Sequence, residues 1–442
     1  MSVKLVFRRL FALLGLAPAA LAGSLVAPPG FNVETHPDAG ALLLPLPDGS
    51  DLLATGAFGA AAIARRLPDG SVIPFATGFG SLAGAALSPV TGDLVVGDSF
   101  FAPALRLLRD TNGDLDCLDA GEDVPHPAVL PLLSNGAAPL PFELTFRPGT
   151  DELYVSGSTP FGVFPVLGVV LEVAGGSAGV FAEGLGFAAG LQWSGATLYV
   201  ADVNATDFSG RVVALRDLDA DGDALDAGEA SDFASGLSGG SDLVVAQDGS
   251  LFVSGLFDLG TFTGSVGHLL ADGDGDGRSD GVDEAFLTGF SFSAGLSLEE
   301  GAGGFVPGVR GDGLLVAGDF GFDGDLLVRT APFADLALTG TVANNSAFTL
   351  TVGGEPGAGA LLVLSLDQQG LTLPGLGDLS LGFGAPHVIA GLPPLDGAGS
   401  SPATIVLHAV DALVGTAFTA QGFTLQDGEV GIGDALDLVI AP

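Results

Sequence analysis

The sequence predicts an all-β fold, on three observations. A short apolar strand recurs six times, at a spacing of roughly fifty residues. Glycine is abundant, with 71 residues in 442, and 48% of the chain is hydrophobic. No stretch of ordinary helix length places apolar residues at a helical period. Many short strands joined by tight turns satisfy all three.

The chain opens with the pattern of a secretory signal. Lys4, Arg8 and Arg9 form a basic segment, Leu10 to Leu16 a short apolar core, and Ala20-Leu21-Ala22 a small-x-small cleavage site. This predicts removal of residues 1–22 as a signal peptide and a mature chain starting near Gly23. The apolar run is too short to span a bilayer, and the stretch 162–181 is broken by Gly, Pro and Glu172. The expectation is an exported protein, secreted or held at the cell surface, with no membrane span in the mature chain.

Thirteen Lys and Arg stand against 52 Asp and Glu, and three of the basic residues lie in 1–22. The mature chain then has ten Arg, no Lys and a net charge of about −42. Such an acidic surface argues against nucleic acid and anionic membranes as partners. It attracts divalent cations and keeps an apolar chain soluble. Cys117 is the only cysteine, so no disulfide stabilises the exported chain.

The recurring strands are DLLATGAF (51–58), DLVVGDSF (93–100), ELYVSGST (152–159), TLYVADVN (197–204), SLFVSGLF (250–257) and GLLVAGDF (313–320). A strand and a Pro- or Asp-Gly turn precede most of them. A further strand such as RVVALRD (211–217) follows, then a phrase of the type PFATGFG (74–80), VFAEGLG (180–186), DFASGLS (232–238) or AFLTGFS (285–291). The six units start near 40, 82, 141, 188, 239 and 293. Four strands per unit in six units predict a six-bladed β-propeller over 23–332. Apolar side chains filling the spaces between blades account for a chain both acidic and hydrophobic. Closure is expected through residues near 40–60 pairing with the last unit, 293–332. The repeat stops after Pro332. Six to eight strand-like runs in 335–442, separated by Gly-, Pro- and Asp-rich turns, predict a small β-sandwich.

Three loops carry acids at alternate positions: RDTNGDLDCLDAGED (109–123), RDLDADGDALDAGEA (216–230) and ADGDGDGRSDGVDEA (271–285). Alternate Asp and Asn oxygens on a tight loop are the donor set of a hard cation such as Ca²⁺. In the third loop, Asp272, Asp274, Asp276, Gly277, Asp280 and Asp283 take positions 1, 3, 5, 6, 9 and 12 of an EF-hand-like loop. In the first, Asp110, Asn112, Asp114, Asp116, Asp119 and Glu122 align without a gap on Asp217, Asp219, Asp221, Asp223, Asp226 and Glu229 of the second. Both have Gly at position 12, and the first has Leu115 in place of Gly at position 6, which departs from the standard pattern. Mere polar turns are the plainer alternative, but so many uncompensated carboxylates repel one another unless a cation sits among them.

Other residues carry less. Asp98, Asp202 and Asp319 follow equivalent strands and either ring one mouth of the propeller or end strands in solvent, the latter being preferred. His126 and His268 have no second His or Cys at ligand spacing. Cys117 is a poor Ca²⁺ ligand, and Trp193 reads as blade packing. The sequons at Asn204 and Asn344 carry no argument. No phosphate loop, G-x-S-x-G or H-E-x-x-H motif occurs.

The strand LYVADVN (198–204) followed by RVVALRDLDADGD (211–223) resembles six-bladed propellers of the group that includes NHL-type repeats, gluconolactonase-like proteins and soluble quinoprotein sugar dehydrogenases. The resemblance spans about 300 residues and is one of fold. The tail resembles the C-terminal sandwich modules of secreted bacterial proteins. Two function classes follow. One is a non-enzymatic, calcium-binding extracellular protein that binds carbohydrate or protein or has a structural role. The other is an enzyme using the central cavity, either a metal-dependent lactonase-like hydrolase or a quinone-dependent sugar dehydrogenase. A quinone with several carboxylates calls for a basic pocket, and three of the ten Arg (Arg109, Arg216, Arg278) lie at the acidic loops instead.

Overall fold

The structure is a computed structural model and describes residues 25–28, 31–37, 41–55, 61–99, 103–160, 163, 165–258, 263–299, 305, 314–320, 325–332, 336–340, 342–343, 347–353, 359–365, 371–373, 377–379, 387–394, 400–406, 416–426 and 429–441. The expected signal segment 1–22 and the Asn344 sequon lie outside the described residues. Among those described, no helix occurs, and none is therefore long and apolar enough to cross a membrane. The chain divides into two compact units, one mainly 35–298 with 316–329, the other mainly 330–442 with 26–34 and 299–315.

Six four-stranded sheets form a six-bladed propeller. The first blade orders Ala41–Pro45, Asp51–Thr55, Ala61–Arg66 and Val72–Phe79 from the inside out. The second orders Leu82–Leu87, Leu94–Asp98, Ala104–Leu108 and Asp123–Pro125. The third runs Leu140–Phe146, Leu153–Ser158, Gly168–Ala174 and Ser177–Leu185, and the fourth Phe187–Ser194, Thr197–Val203, Gly210–Leu215 and Ala230–Leu237. The fifth runs Gly239–Val245, Leu251–Asp258, Thr263–Leu269 and Val282–Phe290. The sixth takes Ser293–Glu299, Leu314–Phe320 and Asp325–Pro332, and its outermost strand is Phe31–Pro37 from the other end of the chain.

The innermost strands start within a residue of the repeat positions read from the sequence. The closure differs. Residues 41–55 are used up in the first blade's own inner hairpin, turned at Asp48-Gly49, where Gly49 takes φ 81°. The strand that precedes the first repeat is thereby left to complete the last blade. Arg329 Nη2 donates to Asp51 Oδ2 at 2.9 Å, so the first and sixth blades also meet through an ion pair.

The core lies between blades, because each sheet is apolar on both faces. Every residue of Leu153–Ser158 is buried. One cluster joins Tyr154, Val170 and Phe181 of the third blade to Leu191, Trp193 and Leu198 of the fourth. Another joins Val212 and Phe233 of the fourth to Leu243, Leu251 and Val253 of the fifth. Trp193 stands edge-on to Tyr154 at 4.9 Å, which is blade packing as expected.

The second unit holds a three-stranded sheet of Leu336–Gly340, Ala347–Gly353 and Ser400–Val406. A four-stranded sheet orders His387–Leu392, Gly359–Ser365, Ala417–Gln426 and Glu429–Val439. Phe348, Leu350 and Val352 of the first share one buried cluster with Leu362, Ala420 and Leu438 of the second.

Candidate metal loops and central channel

All three Asp-rich loops occupy one place in the blade. They join the third strand to the outermost in blades two, four and five. Their first turns share one geometry. The carboxylate at position 1 accepts backbone N–H bonds from positions 4 and 6. Asp110 takes Gly113 and Leu115 at 2.6 and 2.9 Å, and Asp217 takes Ala220 and Gly222 at 2.7 and 3.2 Å. Asp272 takes Gly275 and Gly277 at 2.7 and 2.9 Å. Both positions are left-handed in every loop: φ is 82° and 75° in the first, 65° and 98° in the second, 80° and 85° in the third. Leu115 therefore adopts the conformation that glycine takes in the other two loops, and the mismatch seen in the sequence does not change the turn.

Position 8 extends the equivalence. The N–H of Cys117 donates to Phe75 O at 2.8 Å, that of Ala224 to Phe181 O at 2.7 Å, and that of Ser279 to Phe233 O at 2.8 Å. Each acceptor lies on the outermost strand of the preceding blade, in the recurring phrase PFATGFG, VFAEGLG or DFASGLS. The loops thus staple blade two to one, four to three and five to four. Burial among those blades pushes the Cys117 thiol up to about 12, with the surrounding carboxylates adding to the rise.

After position 8 the loops diverge. Glu122 and Glu229 are buried, at 2% and 3% exposure, and close the first two loops from within. Glu122 accepts from Thr111 N at 2.8 Å and Asp119 N at 3.3 Å; Glu229 accepts from Leu218 N at 2.7 Å and Asp226 N at 3.0 Å. In the third loop Asp280 accepts from Gly273 N at 3.0 Å, while Asp283 lies on the outermost strand opposite His268 and accepts from Ala285 N. Among the described residues, four acidic groups bring an oxygen of each member within 4.8 Å of the others: Asp114, Asp116 and Glu122; Asp217, Asp219 and Glu229; Asp219, Asp221 and Asp226; Asp272, Asp274 and Asp276. Asp110, Asp119, Asp223, Asp280 and Asp283 fall outside these groups. Asn112 bridges Asp114 and Asp119 through its Nδ2 at 3.0 and 2.7 Å.

Each group offers oxygens alone, the chemistry of a hard cation. Arg109 turns away to Asp93, and Arg216 to Thr197 Oγ1. The Asp219 carboxyl is pushed up by lost solvation and then by the charges of Asp221, Glu229 and Asp226. Desolvation acts on Asp110 too, but the N–H groups around it hold its carboxyl below the usual range. A left-handed leucine costs roughly 1–2 kcal/mol, and glycine returns about 1 kcal/mol of that as chain entropy. Leu115→Gly is therefore expected to raise stability by about 0.5 kcal/mol, read from the urea midpoint. A clear loss would show that the leucine side chain has a packing role.

Asp98, Asp202 and Asp319 lie on the second strands of blades two, four and six. Each carboxylate accepts backbone N–H bonds at the entry to its own blade: Asp98 from Gly80 and Ser81, Asp202 from Gly186, Asp319 from Ser291 and Phe292, all between 2.8 and 3.0 Å. Asp202 and Asp319 are buried, at 2% and 3% exposure, so these two do not end their strands in solvent. His268 stacks on Phe252 at 4.6 Å, and burial lowers its affinity for a proton.

A second feature was not visible in the sequence. A cavity of about 290 Å³ is lined by the innermost strands of all six blades, mostly by Leu, Ala, Val and Pro. Its ionisable members are Glu143 and Asp242, with Gln192 beside them. The residues just before the partners of Val96, Val155, Val200 and Val253 are Gly84, Glu143, Gly190 and Asp242. The acids on blades three and five thus alternate with glycines on blades two and four. A Cβ on Gly84 would stand 2.1 Å from Glu143 Oε1, and one on Gly190 would stand 2.5 Å from the Asp242 Cα. Asp242 accepts from Leu243 N at 2.8 Å and from Leu296 N of blade six at 2.6 Å.

No protein-family model matches the chain, and no curated protein matches it. Among solved structures, a luciferin-regenerating enzyme aligns at TM-score 0.48 and 11% identity, covering 68% of this chain and 95% of that one. The periplasmic gluconolactonase of Pseudomonas aeruginosa aligns at 0.40 and 17%, covering 88% and 96%. Regucalcin, a calcium-binding protein from Agrobacterium tumefaciens, aligns at 0.40 and 18%, covering 66% and 93%. Likeness at this level does not speak to activity.

Proposed function

We propose that this chain is an exported, calcium-binding β-propeller whose three Asp-rich loops each hold a cation at a junction between blades. The observation that carries this is the shared loop geometry: one carboxylate caps the same two left-handed positions in each loop, and position 8 is tied to the neighbouring blade. Bound Ca²⁺ supplies the positive charge that the crowded carboxylates lack. The 335–442 unit fits an appended sandwich module that faces an extracellular carbohydrate or protein partner. Isothermal titration with Ca²⁺ in a chelator-treated sample tests the binding, and a flat titration would sink it.

The channel favours a second reading over a purely structural role: a metal-dependent hydrolase of lactones. Glu143, Asp242 and Gln192 line one small apolar cavity, and such a cavity suits a cyclic ester better than a charged quinone. A bound divalent cation would polarise the ester carbonyl and its attacking water. Glu143, which accepts from Leu144 N at 3.1 Å, would take the proton, and Asp242 is held by two backbone N–H groups. Glu143→Gln is expected to lower the rate of lactone hydrolysis at least a hundredfold with the melting temperature unchanged, in line with general-base losses of about 10²–10⁴. An unaltered rate would remove the channel from the reaction.

A further inference from the structure

We propose that a cavity of about 650 Å³ between blades three and four is a binding site for a neutral polyhydroxylated ligand, a sugar of one or two rings. The volume lies within the range of roughly 300–1,000 Å³ typical of small-molecule sites. The cavity opens where the loop between the second and third strands of blade four, 204–209, meets the outermost strand of blade three. The antiparallel order of the strands puts this loop at the opposite end of the blade from the Asp-rich loop 216–229. The site is therefore separate from both the acidic loops and the channel.

Its lining carries two charges, Asp202 and Arg211, and Asp232, outside the lining, completes a row across blade four. Arg211 Nε donates to Asp202 Oδ2 at 2.8 Å, and its Nη1 donates to Asp232 Oδ1 at 3.0 Å. Two carboxylates against one guanidinium leave the row net negative, which disfavours carboxylate or phosphate ligands. A hard cation is disfavoured as well, because Asp202 is committed to Arg211 and to Gly186 N. Hydrogen-bonding groups without charge remain. Among the described residues, the Thr206 and Ser235 hydroxyls, the Asn204 Nδ2 and the Arg211 Nη2 have no protein partner, and all four residues line the cavity. Leu185, Val166 and Pro165 supply an apolar wall. Donors and acceptors fixed on one side and an apolar wall on the other match the two kinds of surface a sugar ring presents.

The loop is also held under strain. Phe208, in this loop but not in the cavity lining, takes φ 61°, rare for an aromatic residue, and is 41% exposed. Its neighbours fix it: Asn204 O accepts from Phe208 N at 2.9 Å, and Asp207 accepts from Ser209 N at 3.0 Å. Strain of this kind persists at sites that need a preset shape.

The test is calorimetric titration of the full mature chain, in calcium, with maltose, cellobiose, lactose and sucrose, and with galacturonate as the anionic probe. At least one neutral disaccharide is expected to bind with a Kd of about 1 mM or tighter, and galacturonate at least tenfold more weakly. Ser235→Trp places a bulky side chain at an exposed position of the rim and is expected to abolish binding with the melting temperature retained. Asp232→Asn removes one charge from the row and is expected to narrow the gap between neutral and anionic probes. Absence of binding by every neutral probe, equal binding by the Ser235→Trp variant, or preference for galacturonate would each overturn the assignment. Calcium titration and lactone hydrolysis are read separately, so their failure leaves this result interpretable.

Discussion

Chelation of calcium is expected to lower the melting temperature of the propeller by about 15 °C, while the transition of the 335–442 unit stays in place. A ligand bound only by the folded state stabilises by RT ln(1 + [L]/Kd), about 2.7 kcal/mol per site at a hundredfold excess over Kd. Three proposed sites then contribute about 8 kcal/mol, comparable with the usual 5–15 kcal/mol margin of a whole domain. At about 2 °C per kcal/mol for a unit of this size, the shift follows. The effect belongs to the propeller because every predicted ligand lies in 110–283, all but Asp283 on the three inter-strand loops.

The staples give the prediction a local readout. The amides of Cys117, Ala224 and Ser279 donate to Phe75, Phe181 and Phe233 across blade junctions. If the loops lose order without the cation, these three amides should lose protection against hydrogen exchange before the strands do. Asp272→Ala with Asp274→Ala removes one site and should remove about a third of the thermal response. It should also expose the Ser279 amide alone. Coincident melting curves in EDTA and in millimolar Ca²⁺ would reduce the loops to turns.

The blades were legible in the sequence because each must bury both faces, and that leaves a strand pattern repeating at fixed spacing. The loops were legible because their acidic residues are local. What the sequence hid was set by long-range register. Glu143 and Asp242 are single acids on apolar strands, separated by nearly a hundred residues, and only the pairing of the residues after them, Leu144 and Leu243, with Val155 and Val253 puts them in equivalent places. The closing strand FNVETHP (31–37) pairs only at the outside of a blade and so lacks the apolar signature of the inner strands. The loop departures misled in the other direction. Leu115 reads as a broken glycine position, yet the Asp110 carboxylate bonds its N–H and holds the left-handed turn regardless.

The alternation of glycine and acid around the channel leads to the second large effect. Gly190→Ala is expected to destabilise the propeller by about 3 kcal/mol or more, toward the upper end of overpacking costs. The added Cβ would stand 2.5 Å from the Cα of Asp242 and 2.8 Å from both its carbonyl carbon and the N of Leu243. All three are backbone atoms of the next blade's innermost strand, so no rotamer change relieves the clash and blades four and five must separate. Asp242 is fixed at the same time by Leu243 N and by Leu296 N, which carries the displacement on to blade six. Gly84→Ala meets the Glu143 carboxylate first, at 2.1 Å, but also its Cα at 2.7 Å. The side chain can swing aside while the backbone cannot, so this variant is expected to cost less. It should also reorient Glu143 within the channel. Comparing urea midpoints of the two variants measures the difference directly. Equal and small losses would mean that the innermost strands have slack, and that the glycines are not what lets the acids reach the channel.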